Sequence, residues 1–509
     1  MFDSDHRHLS APIAALLAVA AGLLYSVSQP GWGIWPLAGV TLAPLLLAFW
    51  GRPPFARAGI GWVMGSVGAA VTIGPTLYAC ATRFFQLDTV AALAVVAGVG
   101  QLFGAIPVAL FAVACGDPAR HSVPVAVARF AAAWVGCELL RTVAWSGLPW
   151  AFLAHALVPV PFLLQAATLG GAFLVSFWLA ALNASLAIAV IAPRRRPALG
   201  TALAIGVAVG AHAVLSLGEV PETAGTLRVR LVQGNVSEAW RGEAWPALDV
   251  LNRLVDLTDD GDAVDLAVWP ENAVSFLLPV NELPLERAAA RLVPLAAHVL
   301  LGAPRIGDDH PDRFRNSAVL MKPGEGIVGY YDKVHLVPFA EYVPRAAVLL
   351  GYEGPHYVPG DRFRVLHAGD TRIGALVCYE VIFPSIARAL VENGAQVLVN
   401  ISNDYWLGGP AGGEQHFAAA VLRAVELRRP MLRAANTGIT GAVDAYGRVL
   451  GRLDRDREGA LTLVVRPSNE LTLYARSGDA FAWLALLLCV AVPARDRLVA
   501  AVRSSRAGS

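Results

Sequence analysis

Long apolar runs fill the first 217 residues, and they restrict the chain before any single side chain is considered. They lie at 11–29, 34–50, 57–80, 89–115, 123–143, 161–192 and 199–217, and an eighth follows at 478–494. A helix needs roughly 20 mainly apolar residues to cross a bilayer, and only structures that satisfy their own backbone survive there. The pattern therefore predicts eight membrane helices. The run at 161–192 exceeds the need and implies tilt or extension past the bilayer. The first run lacks a small-residue cleavage site and is followed by more spans, so it reads as an anchor and not as a removable signal.

Arginines give the orientation. Alternate loops carry Arg52 and Arg57, then Arg120, then Arg194, Arg195 and Arg196, and finally Arg495, Arg497, Arg503 and Arg506. The opposite loops hold little beyond Arg83 and Arg141. The positive-inside rule puts the first set in the cytoplasm. Both termini are then expected to be cytoplasmic, with residues 225–467 on the outer side. The predicted division is a membrane domain over 1–220, an outer domain over 225–467, and a last span with a cytoplasmic tail over 478–509.

One segment on the outer side stands apart. Trp134, Glu138 and Arg141 lead into Trp145-Ser-Gly-Leu-Pro-Trp150. Tryptophans at that depth serve as interface anchors, while ionisable groups inside a span are functional candidates. The i,i+3 spacing of Glu138 and Arg141 predicts a pair on one helical face, and the group as a whole is a candidate lipid entry site.

Only 16% of the chain is charged, against about 25% in soluble proteins. The net charge of +1 gives no basic footprint for nucleic acid. Of the five cysteines, Cys80, Cys115, Cys137 and Cys489 fall inside apolar runs and Cys378 alone lies outside them. No disulfide framework is implied.

Residues 225–467 read as an α/β domain. Strand-like runs occur at 227–235, 265–271, 298–304, 316–322, 327–334, 373–380, 396–404 and 460–466, with helix-like runs at 247–258, 284–297, 384–394 and 414–428. Several strands are almost wholly apolar, as in buried sheets. The stretch NSAVLMKPGEGIVGYYDKV, folding around its Pro-Gly turn, adds an antiparallel hairpin and makes the sheet mixed.

Chemically capable residues sit at the ends of these strands. Glu271 follows LAVWP, Lys333 ends GYYDK with Glu341 eight residues on, and Cys378 ends RIGALV. Loops at strand ends carry chemistry on a rigid base. Lys322 and Lys333 are the only lysines among 40 basic residues. Lys322 adjoins a turn, whereas Lys333 presents a compact charge in a position where a planar guanidinium differs. His335, His356 and His416 lack metal-ligand spacing and read as structural histidines. The segments 351–361 and 408–414 are glycine-rich without a phosphate-cradle pattern, and are expected to be mobile loops that gate access.

In their contexts, WPE(271)N, YDK(333)VHLVPFAEYVP and LVCYE(380)VIFP resemble the nitrilase superfamily of carbon–nitrogen hydrolases. Together with SQPGWGIWPLAGVTLAPLL, the Trp134–Glu138–Arg141–GLPW segment, VQGN, RNSAVL, ISNDYWLG and EQHFAAAVLRAVELRRPMLRAANTGIT, nearly the whole chain is similar to the bacterial apolipoprotein N-acyltransferases. The resemblance implies a polytopic α-helical membrane domain of eight spans plus a nitrilase-like αββα sandwich.

It also implies transfer of a fatty acyl chain from a phospholipid, phosphatidylethanolamine among them, to the α-amine of a diacylglyceryl-cysteine on an apolipoprotein. The setting would be the bacterial inner membrane with a periplasmic catalytic domain. Cys378 would be the nucleophile, its thiolate favoured by Lys333. Glu271 would be the general base and acid, and Lys333 the oxyanion partner alongside a backbone N–H near Tyr379. Glu341 would hold Lys333, with Tyr379, Glu380 and Asn316 in support. A functional tryptophan of the family falls on Trp240 or Trp245. No cofactor and no metal is implied. The same trio also serves a membrane-anchored amidase with water as acceptor. The eight spans and the outward lipid-level segment favour acyl transfer over that reading, and the scarcity of paired ionisable residues deep in the spans disfavours a transporter with an outer binding domain.

Overall fold

In a computed structural model the protein is described over residues 9–191, 194–216, 225–236, 247–278, 283–307, 314–348, 354 and 357–489. Trp240, Trp245, His356 and the tail beyond 489 lie outside the described residues. The chain divides into two compact units, one of residues 1–78, 87–217 and 477–509, the other of 79–86 and 218–476.

The first unit is helical. Five described helices are long and apolar enough to cross a membrane: Ala11–Ser28, Thr89–Arg120, Val123–Val143, Ala167–Ala189 and Arg195–Ser216. A sixth is gained if Pro54–Thr72 and Gly74–Arg83, bent by 53°, form one span. The count of eight is thus not reproduced among the described residues. The run at 34–50 divides into a 3₁₀ turn, Trp35–Gly39, and a short helix, Ala43–Phe49. The last apolar helix is described only over Ala480–Cys489.

Local chemistry explains the other departures. Pro75 has no N–H to give to the preceding turn, so the expected span 57–80 bends at Ile73, between Thr72 and the helix that Gly74 opens. The overlong run 161–192 is interrupted at Gly170–Gly171, where Gly171 takes φ +69. Small residues let helices touch: a Cβ on Gly65 would stand 2.7 Å from the Gly104 carbonyl oxygen, as in membrane packing through small side chains. Asn183, fully buried, donates to the Ala38 carbonyl at 2.8 Å and accepts from Leu42 N–H at 2.7 Å. It thereby ties the broken 35–49 stretch to the helix Ala167–Ala189.

Glu138 and Arg141 are directed to different partners. Glu138 accepts from Trp134 Nε1 at 3.0 Å and Leu153 N–H at 2.8 Å, and Arg141 donates to the Trp150 carbonyl at 2.6 Å. Trp134, Arg141, Leu148 and Trp150 line a cleft within this unit.

The second unit is a sandwich of two six-stranded sheets. The first has the order β12-β1-β2-β3-β4-β5, built from β1 (Leu227–Gln233), β2 (Val264–Val268), β3 (Ala296–Ile306), β4 (Phe314–Lys322), β5 (Gly326–Asp332) and β12 (Gly459–Val465). The second has the order β11-β10-β9-β8-β7-β6, built from β6 (Val365–Ala368), β7 (Thr371–Val377), β8 (Val397–Ser402), β9 (Met431–Ala435), β10 (Thr440–Val443) and β11 (Val449–Leu453). Pairing is parallel for β1–β2–β3 and β7–β8–β9 and antiparallel elsewhere, the mixed arrangement anticipated.

The sheets face each other through β4 against β7 and β1 against β9. The amphipathic helices Ala247–Thr258 and Leu283–Leu292 bury Leu251, Leu254, Val255 and Leu292 on the outer side of the first sheet. Pro384–Glu392 and Pro410–Leu427 cover the second. The expected loop 408–414 already belongs to the last of these: Pro410 occupies its first turn, where a missing N–H costs nothing.

Residues 79–86 join this unit through the segment Asp404–Leu407. Cys80 Sγ donates to the Trp406 carbonyl at 3.2 Å, Arg83 donates to the Tyr405 carbonyl at 3.2 Å, and Phe84 packs edge-on to Trp406.

Candidate active site

Parallel strands deliver the site, because their carboxyl ends open onto a common crevice. Glu271 stands in the turn after β2, Cys378 directly after β7, and Asn403 directly after β8. Lys333 follows β5, and Asn316 lies on β4 opposite Pro304.

Glu271 is set by its backbone. Trp269 N–H donates to the Leu300 carbonyl at 2.8 Å and Gly302 N–H to the Pro270 carbonyl at 3.1 Å. Gly302 touches this turn so closely that a Cβ would stand 2.6 Å from both Glu271 Cα and Asn272 N. The Glu271 carboxylate accepts from Asn316 Nδ2 at 2.8 Å and from Asn403 N–H at 3.0 Å, and its charge is felt by the Cys378 thiol.

Lys333 is 1% exposed. Its ammonium lies 2.9 Å from Glu341 Oε1 and 3.8 Å from Glu271 Oε1. Glu341 is fixed in turn by Asn316 Nδ2 and by Val337 N–H, each at 2.8 Å. Asn316 therefore bridges the two carboxylates, while its carbonyl takes the Lys333 N–H at 2.8 Å.

Cys378 is half-buried and has φ +52. A non-glycine residue in this left-handed region is strained and persists only where its surroundings impose it. It opens a 3₁₀ turn, Cys378–Ile382. Glu380 holds that turn by accepting from Val377 N–H (2.8 Å), Val334 N–H (2.7 Å), His335 N–H (3.1 Å) and Tyr331 Oη (3.0 Å). Tyr379 is half-buried, with its ring 5.0 Å from that of Phe383. All seven residues singled out in the sequence thus fall in one region.

Burial, with Glu271 adding to it, pushes the Cys378 thiol well above its ordinary value, and Lys333 only partly opposes this. Such a thiol needs a base to lose its proton, the part expected of Glu271. Burial also raises the Glu271 carboxyl, opposed by Lys333 and reinforced by Glu341. Burial alone would lower Lys333, but Glu341 and Glu271 outweigh it and hold the ammonium charged. Burial brings Glu380 up to about 7 against its four hydrogen bonds, which favour the carboxylate.

Behind the cysteine lies a polar cluster to which the sequence reading assigned no role. Asn400, Asp404, His416 and Arg433 are all buried. Arg433 Nη2 meets both oxygens of Asp404 at 2.8 and 2.7 Å, Arg433 Nη1 donates to Asn400 Oδ1, and Ser402 donates to Asp404 at 2.8 Å. His416 is a satisfied buried histidine, as anticipated, but one of its contacts is the Cys378 carbonyl. The available signal was Asn400, a polar residue interrupting the apolar run VLVNIS.

Chemically, the arrangement brings together a thiol, a carboxylate whose charge acts on it, and a fixed cation that acts on both. The carbon-nitrogen hydrolase family matches residues 228–472, and the apolipoprotein N-acyltransferase N-terminal domain matches 21–185. Among relatives, the apolipoprotein N-acyltransferase of Geobacter metallireducens is 33% identical, covering 92% of both chains. That of Azotobacter vinelandii is 35% identical over 91% of both. That of Allorhizobium ampelinum is 31% identical over 96% of this chain and 97% of its own. The carbon-nitrogen hydrolase domain thus sits in a multi-pass membrane protein whose relatives match it almost from end to end. The chain belongs to the apolipoprotein N-acyltransferase family.

Proposed function

We propose that this protein moves a fatty acyl chain from a membrane phospholipid, through a thioester on Cys378, to the α-amine of a diacylglyceryl-cysteine at an apolipoprotein N-terminus. The convergence of Glu271, Lys333 and Cys378 in one buried crevice carries the reading.

In the first half-reaction the Cys378 sulfur attacks the ester carbonyl carbon as its proton passes to Glu271. Lys333 and the Tyr379 N–H stabilise the oxyanion. The carbon–oxygen bond breaks, and the lysophospholipid oxygen takes the proton from Glu271. In the second half-reaction the amine attacks the thioester, Glu271 accepts its proton, and the thiolate leaves and is reprotonated. Glu341 keeps Lys333 charged and aimed, and Glu380 holds the turn that carries Cys378. Tyr379 borders the acyl site, and Asn316 aligns the two carboxylates.

The proposed topology follows the arginines: an inner-membrane protein with cytoplasmic termini and a periplasmic catalytic domain over 225–467, flanked by membrane parts over 1–220 and 478–509. Phosphatidylethanolamine is the proposed donor, and the cleft lined by Trp134, Arg141 and Trp150 a proposed lipid contact.

The test supplies phospholipid alone to purified protein and weighs it. One hydroxylamine-labile acyl mass is expected on Cys378, absent in Glu271→Gln, and discharged as N-acylated product when a diacylglyceryl peptide is added. Unmodified Cys378 overturns the mechanism. Free fatty acid without N-acylated peptide favours a hydrolase.

A further inference from the structure

The Cys378 carbonyl is gripped from two sides, by Asn400 Nδ2 at 3.2 Å and His416 Nε2 at 3.2 Å. A carbonyl oxygen only accepts, so Nε2 of His416 must carry the hydrogen. Nδ1 of the same ring lies 3.0 Å from Arg433 Nη2 and 3.0 Å from Asp404 Oδ1. In the neutral ring it accepts from the guanidinium, and burial followed by Arg433 keeps His416 below its ordinary value, hence neutral. Arg433 also donates to Asn400 Oδ1, which leaves the amide nitrogen facing the Leu376 and Cys378 carbonyls. One buried arginine therefore sets the orientation of both groups that hold the carbonyl.

The grip has a consequence across the peptide. The Cys378 carbonyl and the Tyr379 N–H belong to one planar trans unit and point in opposite directions. Fixing the oxygen fixes the aim of the N–H. Cys378 sits at φ +52, a conformation that does not hold itself, so an external clamp decides where that peptide faces.

We propose that His416 is a positioning residue which, with Asn400, clamps the Cys378 carbonyl and so aims the Tyr379 N–H at the oxyanion of the acyl-transfer intermediate. This rests on the acyl-transfer reading above.

The experiment compares two reactions of the same sulfur in full-length His416→Phe, His416→Ala and His416→Gln. Acylation by phospholipid passes through a tetrahedral oxyanion, whereas alkylation by iodoacetamide does not. Losing one oxyanion donor costs roughly 100-fold or more in rate, so the Phe and Ala variants should acylate about 100-fold more slowly. Their KM for phospholipid and their alkylation rate should stay within about threefold, since only a transition-state contact is lost. Gln, whose amide can donate from a similar place, should recover most of the rate.

Acylation and alkylation falling together, a rise in KM alone, or unchanged acylation would each overturn the proposal. So would failure of both Phe and Ala to fold while Gln is fully active, which marks the histidine as a fold determinant. A wild-type protein that never acylates Cys378 instead overturns the parent reading.

Discussion

Lys333 and Glu341 form the tightest charge contact in the crevice, 2.9 Å between ammonium and carboxylate, with the lysine buried. The ammonium therefore rests 0.9 Å nearer to Glu341 than to Glu271, the proposed base. A charge-assisted bond of this kind contributes about 1.5–3 kcal/mol. Glu341→Gln should slow Cys378 acylation by roughly 10- to 150-fold at saturating lipid, on the same scale. Lys333→Arg should do no better, because a planar fork cannot replace a point charge there. Single-turnover acylation measures both.

The Glu271 carboxyl is raised by burial and by Glu341, and it must be ionised to accept the thiol proton. The acid limb of kcat/KM should thus lie above the ordinary glutamate value of about 4.3. Glu341→Gln removes one of the charges that raises it, so the limb should move to lower pH even as the rate falls. A pH profile in which the limb stays or rises would refute this ordering.

Gly302→Ala places a methyl group 2.6 Å from the Glu271 Cα and 2.8 Å from the Pro270 carbonyl oxygen. Backbone atoms inside a sheet cannot give way cheaply, and overpacking costs about 1–3 kcal/mol. Catalysis should suffer more than stability, because a displacement of about 1 Å in a catalytic group costs ~100-fold. Acylation rate and thermal midpoint measured together separate the two effects.

Burial acts to raise the Asp404 carboxyl, but the Arg433 guanidinium outweighs it and holds the group well below the usual carboxylate range. A depressed folded value contributes stability that is present above the unfolded value of about 3.9 and is lost as pH falls below it. Asp404→Asn should lower the thermal midpoint at pH 7, since it strands a buried guanidinium at a cost of about 3–5 kcal/mol. It should also flatten the loss of stability on acidification. Thermal melts at pH 7 and at about pH 2–3, below the unfolded value, test both.

The residues proposed for catalysis were legible in the sequence because each ends a recognisable strand. Glu271, Lys333 and Cys378 each follow an apolar run, and the hairpin of β4 and β5 announced itself through a Pro-Gly turn. The strands β9, β10 and β11 escaped because MLRAA, TGAV and VLGRL are short and carry arginine or glycine. Arg433 sits in the middle of β9 and is fully buried, a placement that makes sense only once Asp404 and Asn400 lie beside it. Such pairings are tertiary and leave no periodic trace. The bend after Thr72 was written in Gly74-Pro75, but a continuous hydropathy pattern hides a break that leaves composition unchanged.

The small segment 79–86 has a consequence for assembly. Its contacts span 326 residues from Cys80 to Trp406 and 322 from Arg83 to Tyr405. At about 5–20 residues per second of synthesis, its partner emerges roughly 16–65 s later. The segment is therefore already made when Tyr405 and Trp406 emerge, and the unit is completed by a piece of chain from outside its contiguous stretch 218–476. Expressing 218–476 alone would leave Tyr405 and Trp406 without the surface they close on.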